Sequence, residues 1–313
     1  MDPVIVVGAG ISGIAAARTL HAAGLPVLVL DRGRRIGGRM GVRTVDDRPI
    51  DIGASYFTVS DPAFQEVVDD WQERGLARPW TDTFHVYADG ALTPKSGPMR
   101  WAAPTGLRSL VEDLADGLDV QRETVLQIEP GPCVDEKAAG AVILAMPDPQ
   151  AERLLHPSFG PEIEALTDAF APVLVLTAAW DQRDWPAVDG VFVSDDDTLT
   201  WIADDGRRRG DDKPILVAHS TSPFAAAHLE DPTTGEAAML AALQRVLGIE
   251  SAPTFTQIQR WSFAKPAGTK SDPYFLGDSL IGLCGDSWSD KPRVESAFLS
   301  GTALGEAISR RLS

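Results

Sequence analysis

The chain is poor in the residues that build metal centres and covalent frameworks. Its 313 residues hold two cysteines, Cys133 and Cys284, and five histidines, at 21, 85, 156, 219 and 228. No CxxC pair and no Cys/His cluster occurs, which argues against a disulfide scaffold or a structural zinc site. The histidines show no ligand spacing, so no metal is expected and each histidine should be a surface or satisfied core residue. No apolar run approaches the roughly 20 residues needed to span a bilayer. The first strand begins by Val4 with no basic lead-in, which leaves no room for a secretory or transit segment and points to the cytoplasm. No GxSxG elbow is present, so acyl hydrolysis is not expected. Positive charge is scarce too: 28 Lys+Arg face 45 Asp+Glu, a net charge of −17. A surface that acidic keeps the chain soluble and repels nucleic acid and anionic membranes, leaving a small molecule as the expected partner. Any anionic ligand must then be held by local arginines, backbone N–H groups or helix ends.

What is present begins with Val4-Ile5-Val6-Val7, a short continuous apolar run of the kind found in buried parallel strands. The pattern predicts a helix from Ile11 to Ala23, stopped by Gly24, and a second strand from Val27 to Leu30 ending at Asp31. Strands are also expected at Ala141 to Met146 and Ile281 to Cys284, with a last helix from about Val294 to Leu312. Between them, Val173 to Trp180, Gly190 to Ser194, Leu199 to Ala203, Ile215 to His219 and Thr254 to Phe263 read as strands at hairpin-like spacings. A helix is expected near Thr234 to Leu247, stopped by Gly248. Arg207-Arg208-Arg209, among aspartates, is expected at a solvated hairpin tip.

Gly8-Ala9-Gly10-Ile11-Ser12-Gly13 joins the first strand to the first helix. Gly8 permits the tight turn, Gly10 lets the backbone approach a pyrophosphate, and Gly13 lets helix and strand pack closely. Asp31, 18 residues after Gly13, stands where a dinucleotide fold places the acid that binds ribose hydroxyls.

Further segments narrow the dinucleotide. Arg35-Ile36-Gly37-Gly38-Arg39-Met40, Asp51-Ile52-Gly53-Ala54-Ser55-Tyr56-Phe57-Thr58, Leu283-Cys284-Gly285-Asp286-Ser287-Trp288 and Val294-Glu295-Ser296-Ala297-Phe298-Leu299-Ser300-Gly301 stand in that order. With Ala145 to Gln150 and Arg260 to Ala264, they resemble the flavin amine oxidase superfamily, most closely its small renalase-like members. The resemblance implies an α/β fold of the p-hydroxybenzoate hydroxylase type. A Rossmann-type FAD-binding lobe with a parallel sheet would use residues 1–60, 100–150 and 272–313. A second lobe, an antiparallel sheet with flanking helices, would use 61–99 and 151–271. It also implies non-covalent FAD, with Gly8, Gly10, Ile11, Ser12, Gly13, Asp31, Arg32, Gly38, Arg39, Gly53, Ala54, Ser55, Asp286, Glu295, Ser296 and Ala297 around it. Arg39 would counter the pyrophosphate, Asp286 would meet the ribityl region, and Val125, on a short strand from Glu123 to Ile128, would sit by the adenine. Ser296 stands where the family usually has glycine and would crowd the flavin slightly.

For substrate, the resemblance points to Tyr56, Phe57, Trp261, Trp288 and Arg293. Arg293 stands where amine oxidases of the superfamily place an aromatic residue of the cage around the amine. A guanidinium there would repel a cation and favour a phosphate or carbonyl oxygen, unless it turns outward to Asp290. Three functions follow. One is a renalase-like oxidation of a dihydronicotinamide compound (an NAD(P)H isomer), with O2 taking the electrons. The second is an amine oxidase or desaturase on the same scaffold, and the third a flavin-loaded binding or sensing protein. Hydride transfer to flavin requires no protein acid or base, which suits the lack of an obvious catalytic set.

Overall fold

Strand β1 (Val4–Val7) is buried at every position because it lies inside a six-stranded sheet with both faces covered. It pairs in parallel with Ala141–Leu144 on one side and β2 (Val27–Asp31) on the other. Asp119–Arg122 extends the sheet beyond β2, and Ile281–Leu283 and Phe275–Leu276 extend it beyond Ala141–Leu144. Val4 and Val6 pack against Ile14, Ala17 and Leu20 of helix α1 (Ile11–Ala22) and Leu304 and Ile308 of the Val294–Leu312 helix. Ile5 and Val7 pack on the other face with Val142, Leu144 and Leu155. Burial on both faces explains an apolar run without alternation. The two helices touch through glycine: a Cβ on Gly301 would collide with the Ser12 carbonyl, and one on Gly305 would lie 2.9 Å from the Ala16 carbonyl oxygen. The computed structural model describes residues 2–313.

The second sheet has seven strands, in the order Phe255–Pro266, Phe170–Ala179, Ile215–Ser220, Leu199–Asp204, Gly190–Val193, Arg78–Ala88 and Ala91–Ala102. All neighbours are antiparallel except Gly190–Val193 with Arg78–Ala88. One face carries Leu174, Leu176, Leu216 and Ala218, covered by Met239, Leu243 and Val246 of the Glu236–Leu247 helix. The other carries Val173, Val175 and Val217, which meet Ile50 and Ile52. That second face closes over the end of the parallel sheet, and the site lies between them. No helix among the described residues is long and apolar enough to cross a membrane.

The α/β architecture with one parallel and one antiparallel sheet is the expected one, with differences in detail. The long hairpin Arg78–Ala88/Ala91–Ala102 had no apolar pattern to betray it. Its outer strand carries Pro94 and Pro98, which an edge position tolerates because its outward N–H groups pair with nothing. Helix α2 (Pro62–Glu73) is a further addition, started by Asp61, whose carboxylate accepts from Ala63 N at 2.8 Å. The expected strand from Glu123 to Ile128 is not one. The chain pairs with β2 at Asp119–Arg122 and then runs irregularly to Ile128, where a small hairpin sheet begins.

Candidate cofactor and substrate site

A cavity of about 1020 Å³ runs from the glycine turn after β1 to the inner face of the antiparallel sheet. At its first end Gly8 has φ +110° and sits so close to Ala145 that a Cβ would lie 2.5 Å from the Ala145 carbonyl oxygen. Gly10 is the N-cap of α1 with no side-chain cap, and no acidic residue stands in the first turn. The first-turn N–H groups and the positive end of the helix dipole therefore face an open, uncapped space. Gly13 lies outside the cavity lining and allows the close packing its spacing implied: a Cβ there would strike the Gly8 carbonyl. Asp31 ends β2 with Oδ2 accepting from Ala9 N at 2.7 Å and Oδ1 from Gly33 N at 2.6 Å. The carboxylate thus pins the glycine turn and retains lone pairs toward the cavity it lines.

Ile11, Ser12, Arg32, Gly38, Arg39, Gly53, Ala54, Ser55, Val125, Asp286 and Ala297 also line this space. Gly53 passes so close to the Arg39 carbonyl that a side chain would collide with it. Arg39 and Asp286, expected to contact the cofactor separately, form a two-pronged ion pair with each other, one prong at 2.9 Å and the other at 2.5 Å. Arg39 also donates to the Ala264 carbonyl at 3.2 Å. Glu295 and Ser296 are corrections, because neither borders the cavity. Ser296 is the third residue of its helix and closes a capping box, accepting from Arg293 N at 2.9 Å and donating to the Lys291 and Arg293 carbonyls. Its hydroxyl has better partners in the cap than in the cavity, so it crowds nothing there. Glu295 is fully buried and accepts from Ser60 N, Asp61 N and the Ser60 hydroxyl. Burial alone would raise its pKa, but those donors and Arg293 outweigh it and hold the carboxyl below its ordinary range.

At the other end Tyr56 packs among Trp80, Phe84 and Trp201, with ring centroids 6.4, 5.1 and 5.6 Å away. Trp261 lines the cavity while its Nε1 donates to the Ile52 carbonyl at 2.6 Å. Phe57 borders the space, but its ring is buried against Phe64, Trp71 and Trp101 and serves the core. Trp288 is a further correction: it lies in the core of the parallel-sheet lobe, beside Phe275 and under Lys270, away from the cavity. Arg293 lines the cavity, but its guanidinium pairs with Glu295 at 2.6 Å and donates to Ser60 at 2.7 Å, not to Asp290.

Sequence reasoning missed three features. His219 lines the cavity, and its Nε2 is buried without a partner, so it is neither exposed nor satisfied. Burial, then the nearby charges of Lys265 and Arg208, push its pKa down to about 3, leaving a neutral ring. Lys265 also lines the cavity, with no ion-pair partner among the described residues, and burial lowers its pKa. The third is the arginine triplet, which is not a solvated hairpin tip. Asp204 caps a short helix at Asp205–Arg209, and Arg208 and Arg209 are 0% and 7% exposed. Asp205 binds Arg48, Arg208 and Arg209, while Arg209 reaches Asp51 at 2.8 Å and Arg208 donates to the Ser55 carbonyl at 3.0 Å. An Asp one helical turn before two arginines was the available signal.

Residues 6–71 match the family model of an NAD(P)-binding Rossmann-like domain. Putrescine oxidase of Kocuria rosea is 40% identical over 105 residues, 34% of this chain and 19% of that protein. The flavin-containing amine oxidase B of Sus scrofa is 52% identical over a match covering 31% of this chain and 19% of that protein. The chain thus spans about a fifth of the length of these relatives. Among solved structures, a putative protoporphyrinogen oxidase from Exiguobacterium superimposes with a TM-score of 0.78 at 18% identity, covering 99% of both chains. Cyclohexylamine oxidase from Brevibacterium oxydans gives 0.78 at 15% identity, again over 99% of both. The chain shares the fold of these two solved structures. The uncapped α1 terminus, the glycine cradle and the arginines around it suit the phosphates of a dinucleotide.

Proposed function

We propose that this protein is an FAD-dependent oxidoreductase that removes a hydride from a small molecule held in the aromatic chamber. O2 accepts the electrons and leaves as H2O2, which balances the two-electron oxidation. The observation that carries this reading is the single cavity joining a phosphate-suited glycine turn to a chamber walled by Tyr56, Trp201 and Trp261. Bound FAD would supply the two-electron acceptor, and the chain's part is to hold, orient and enclose. In this reading Asp31 meets the ribose hydroxyls and Val125 the adenine. The FAD is held without a covalent link: neither cysteine borders the cavity, and burial pushes the Cys284 thiol up to about 12.

The finer reading is a dihydronicotinamide substrate. Its support is the charge of the chamber, where Lys265 is unpaired. The carboxylates lining the whole cavity are Asp31, Glu123 and Asp286, each already bonded. A specific observation favours the amine reading as well. The Arg293 charge, expected to repel an amine, is cancelled by buried Glu295, so that repulsion is largely lost. Anaerobic titration of the yellow holoprotein with dihydronicotinamide isomers and with primary amines decides between them by which bleaches the oxidised-flavin band. Bleaching by neither class, or a colourless protein that ignores added FAD, would refute the oxidoreductase assignment.

A further inference from the structure

Arg39, placed by its motif near the pyrophosphate, has its guanidinium committed to Asp286 and the Ala264 carbonyl. A different arginine stands free beside the same turn. Arg108 opens helix α3 (Arg108–Leu114), and its side chain lies across Gly37. A Cβ on Gly37 would lie 3.0 Å from Arg108 Cγ and 3.5 Å from its Nε. Gly37 donates to the Ala9 carbonyl at 2.8 Å, and a Cβ on Gly10 would lie 4.0 Å from Gly38 Cα, so this turn rests directly on the glycine loop ahead of α1. Arg108 lines the cavity, yet its Nε is buried with no hydrogen-bond partner.

A half-buried guanidinium with an orphaned N–H is costly unless an anion completes it. Its protein neighbours do not. Arg35, also on the cavity wall, adds a second positive charge and reaches Glu112 only at 3.9 Å. Burial first, and Arg35 next, depress the Arg108 pKa, and Glu112 and Asp51 offset this without forming a contact. We infer that Arg108, with Arg35 beside it, is the guanidinium anchor for the phosphates of the bound dinucleotide, while Arg39 and Asp286 brace the cavity wall. This rests on the dinucleotide reading of the site and not on which reaction follows. Arg108 carries no motif; chain topology brings it over the glycine turn.

The test uses the apoprotein with ADP, which has the phosphates but no flavin, and with FAD. Calorimetry should show Arg108→Gln weakening ADP by about 10- to 100-fold at low salt, the range of a charge-assisted hydrogen bond. The deficit should shrink as sodium chloride is raised, because the lost contribution is a charge. Arg108→Lys, which keeps the stem over Gly37, should recover part of the affinity. Equal ADP affinity in wild type and Arg108→Gln, or a deficit shared by Arg108→Lys and independent of salt, would show a packing role and overturn the assignment. Should the wild type bind ADP through Arg108 yet ignore FAD, the flavin reading falls while the anchor stands.

Discussion

Asp205→Asn tests whether the buried charge cluster holds the two lobes in register. The carboxylate is fully buried and receives Arg208, Arg209 and Arg48, the Arg209 contact at 3.1 Å. Desolvation would raise its pKa, but the three guanidinium groups outweigh this and drive it far below the carboxylate range. A depressed carboxylate stabilises the fold fully above its unfolded pKa and loses that only as pH falls through the folded one, so the contribution is constant near neutrality. At an effective dielectric near 20, each contact at about 4 Å is worth roughly 4 kcal/mol gross, or about 12 for three. Several kcal/mol of desolvation oppose this, and removal of one partner from a buried ion pair costs about 3–5 kcal/mol net. At about 2–4 °C per kcal/mol, differential scanning calorimetry should show a Tm lower by roughly 6–20 °C. Asp211→Asn, at the exposed end of the same cluster, should cost no more than about 1 kcal/mol. A Tm for Asp205→Asn matching that of Asp211→Asn would refute the reasoning.

Gly301→Ala drives a methyl into the Ser12 carbonyl and should cost about 1–3 kcal/mol by prying the last helix from α1; chemical denaturation measures it. Glu295 has a depressed pKa, so its stabilisation is present above the ordinary carboxylate range and fades as pH falls below it. Glu295→Gln should therefore lower stability at neutral pH and flatten its decline in acid, as read from Tm against pH. Lys265→Met should leave FAD retention unchanged and weaken benzoate, a planar anion, by about 10-fold in flavin difference spectra. Loss of FAD with unchanged benzoate affinity would place Lys265 on the cofactor instead.

The sequence was legible where one residue type has one reason to be present. Gly8 and Gly13 are required by close backbone packing, and the structure uses them so; Gly10 has open space before it, where its motif expects a ligand. The apolar strands were equally clear, because burial on both faces leaves no room for polar residues. Arg78–Ala102 hid because an edge hairpin needs little apolar content and admits proline. Among polar residues, position along the chain identified neighbours and not orientation. Glu295, Ser296 and Trp288 adjoin cavity residues, yet helix capping and core packing take their side chains away. Arg208 and Arg209 looked solvated because their partners Asp51 and Ser55 are more than 150 residues distant.

The stretch from Asp51 to Tyr56 shows how the lobes depend on one another. Asp51 accepts from Leu107 N at 2.7 Å and from Arg209, Ile52 holds Trp261, and Ser55 receives Arg208 on its carbonyl and Trp201 on its hydroxyl at 3.0 Å. One segment of the cofactor side is thus fixed mostly by residues of the antiparallel sheet and its adjoining helix. Separating the lobes would leave the Asp51 and Arg209 charges buried without their partners, which is costly. The electrostatics follow the same division. A chain of net charge −17 gathers Arg32, Arg35, Arg39, Arg108, Arg153, Arg260, Lys265 and Arg293 around one cavity against three carboxylates. The acidic exterior repels polyanions, while the arginine-rich interior stabilises a compact anion once it is inside. Phosphates at the α1 end would neutralise part of that charge, and Lys265 at the other end still lacks a partner. On the proposed dihydronicotinamide reading, that unpaired ammonium is where an oxygen of the substrate would be met, and on the amine reading it is a charge the substrate must avoid.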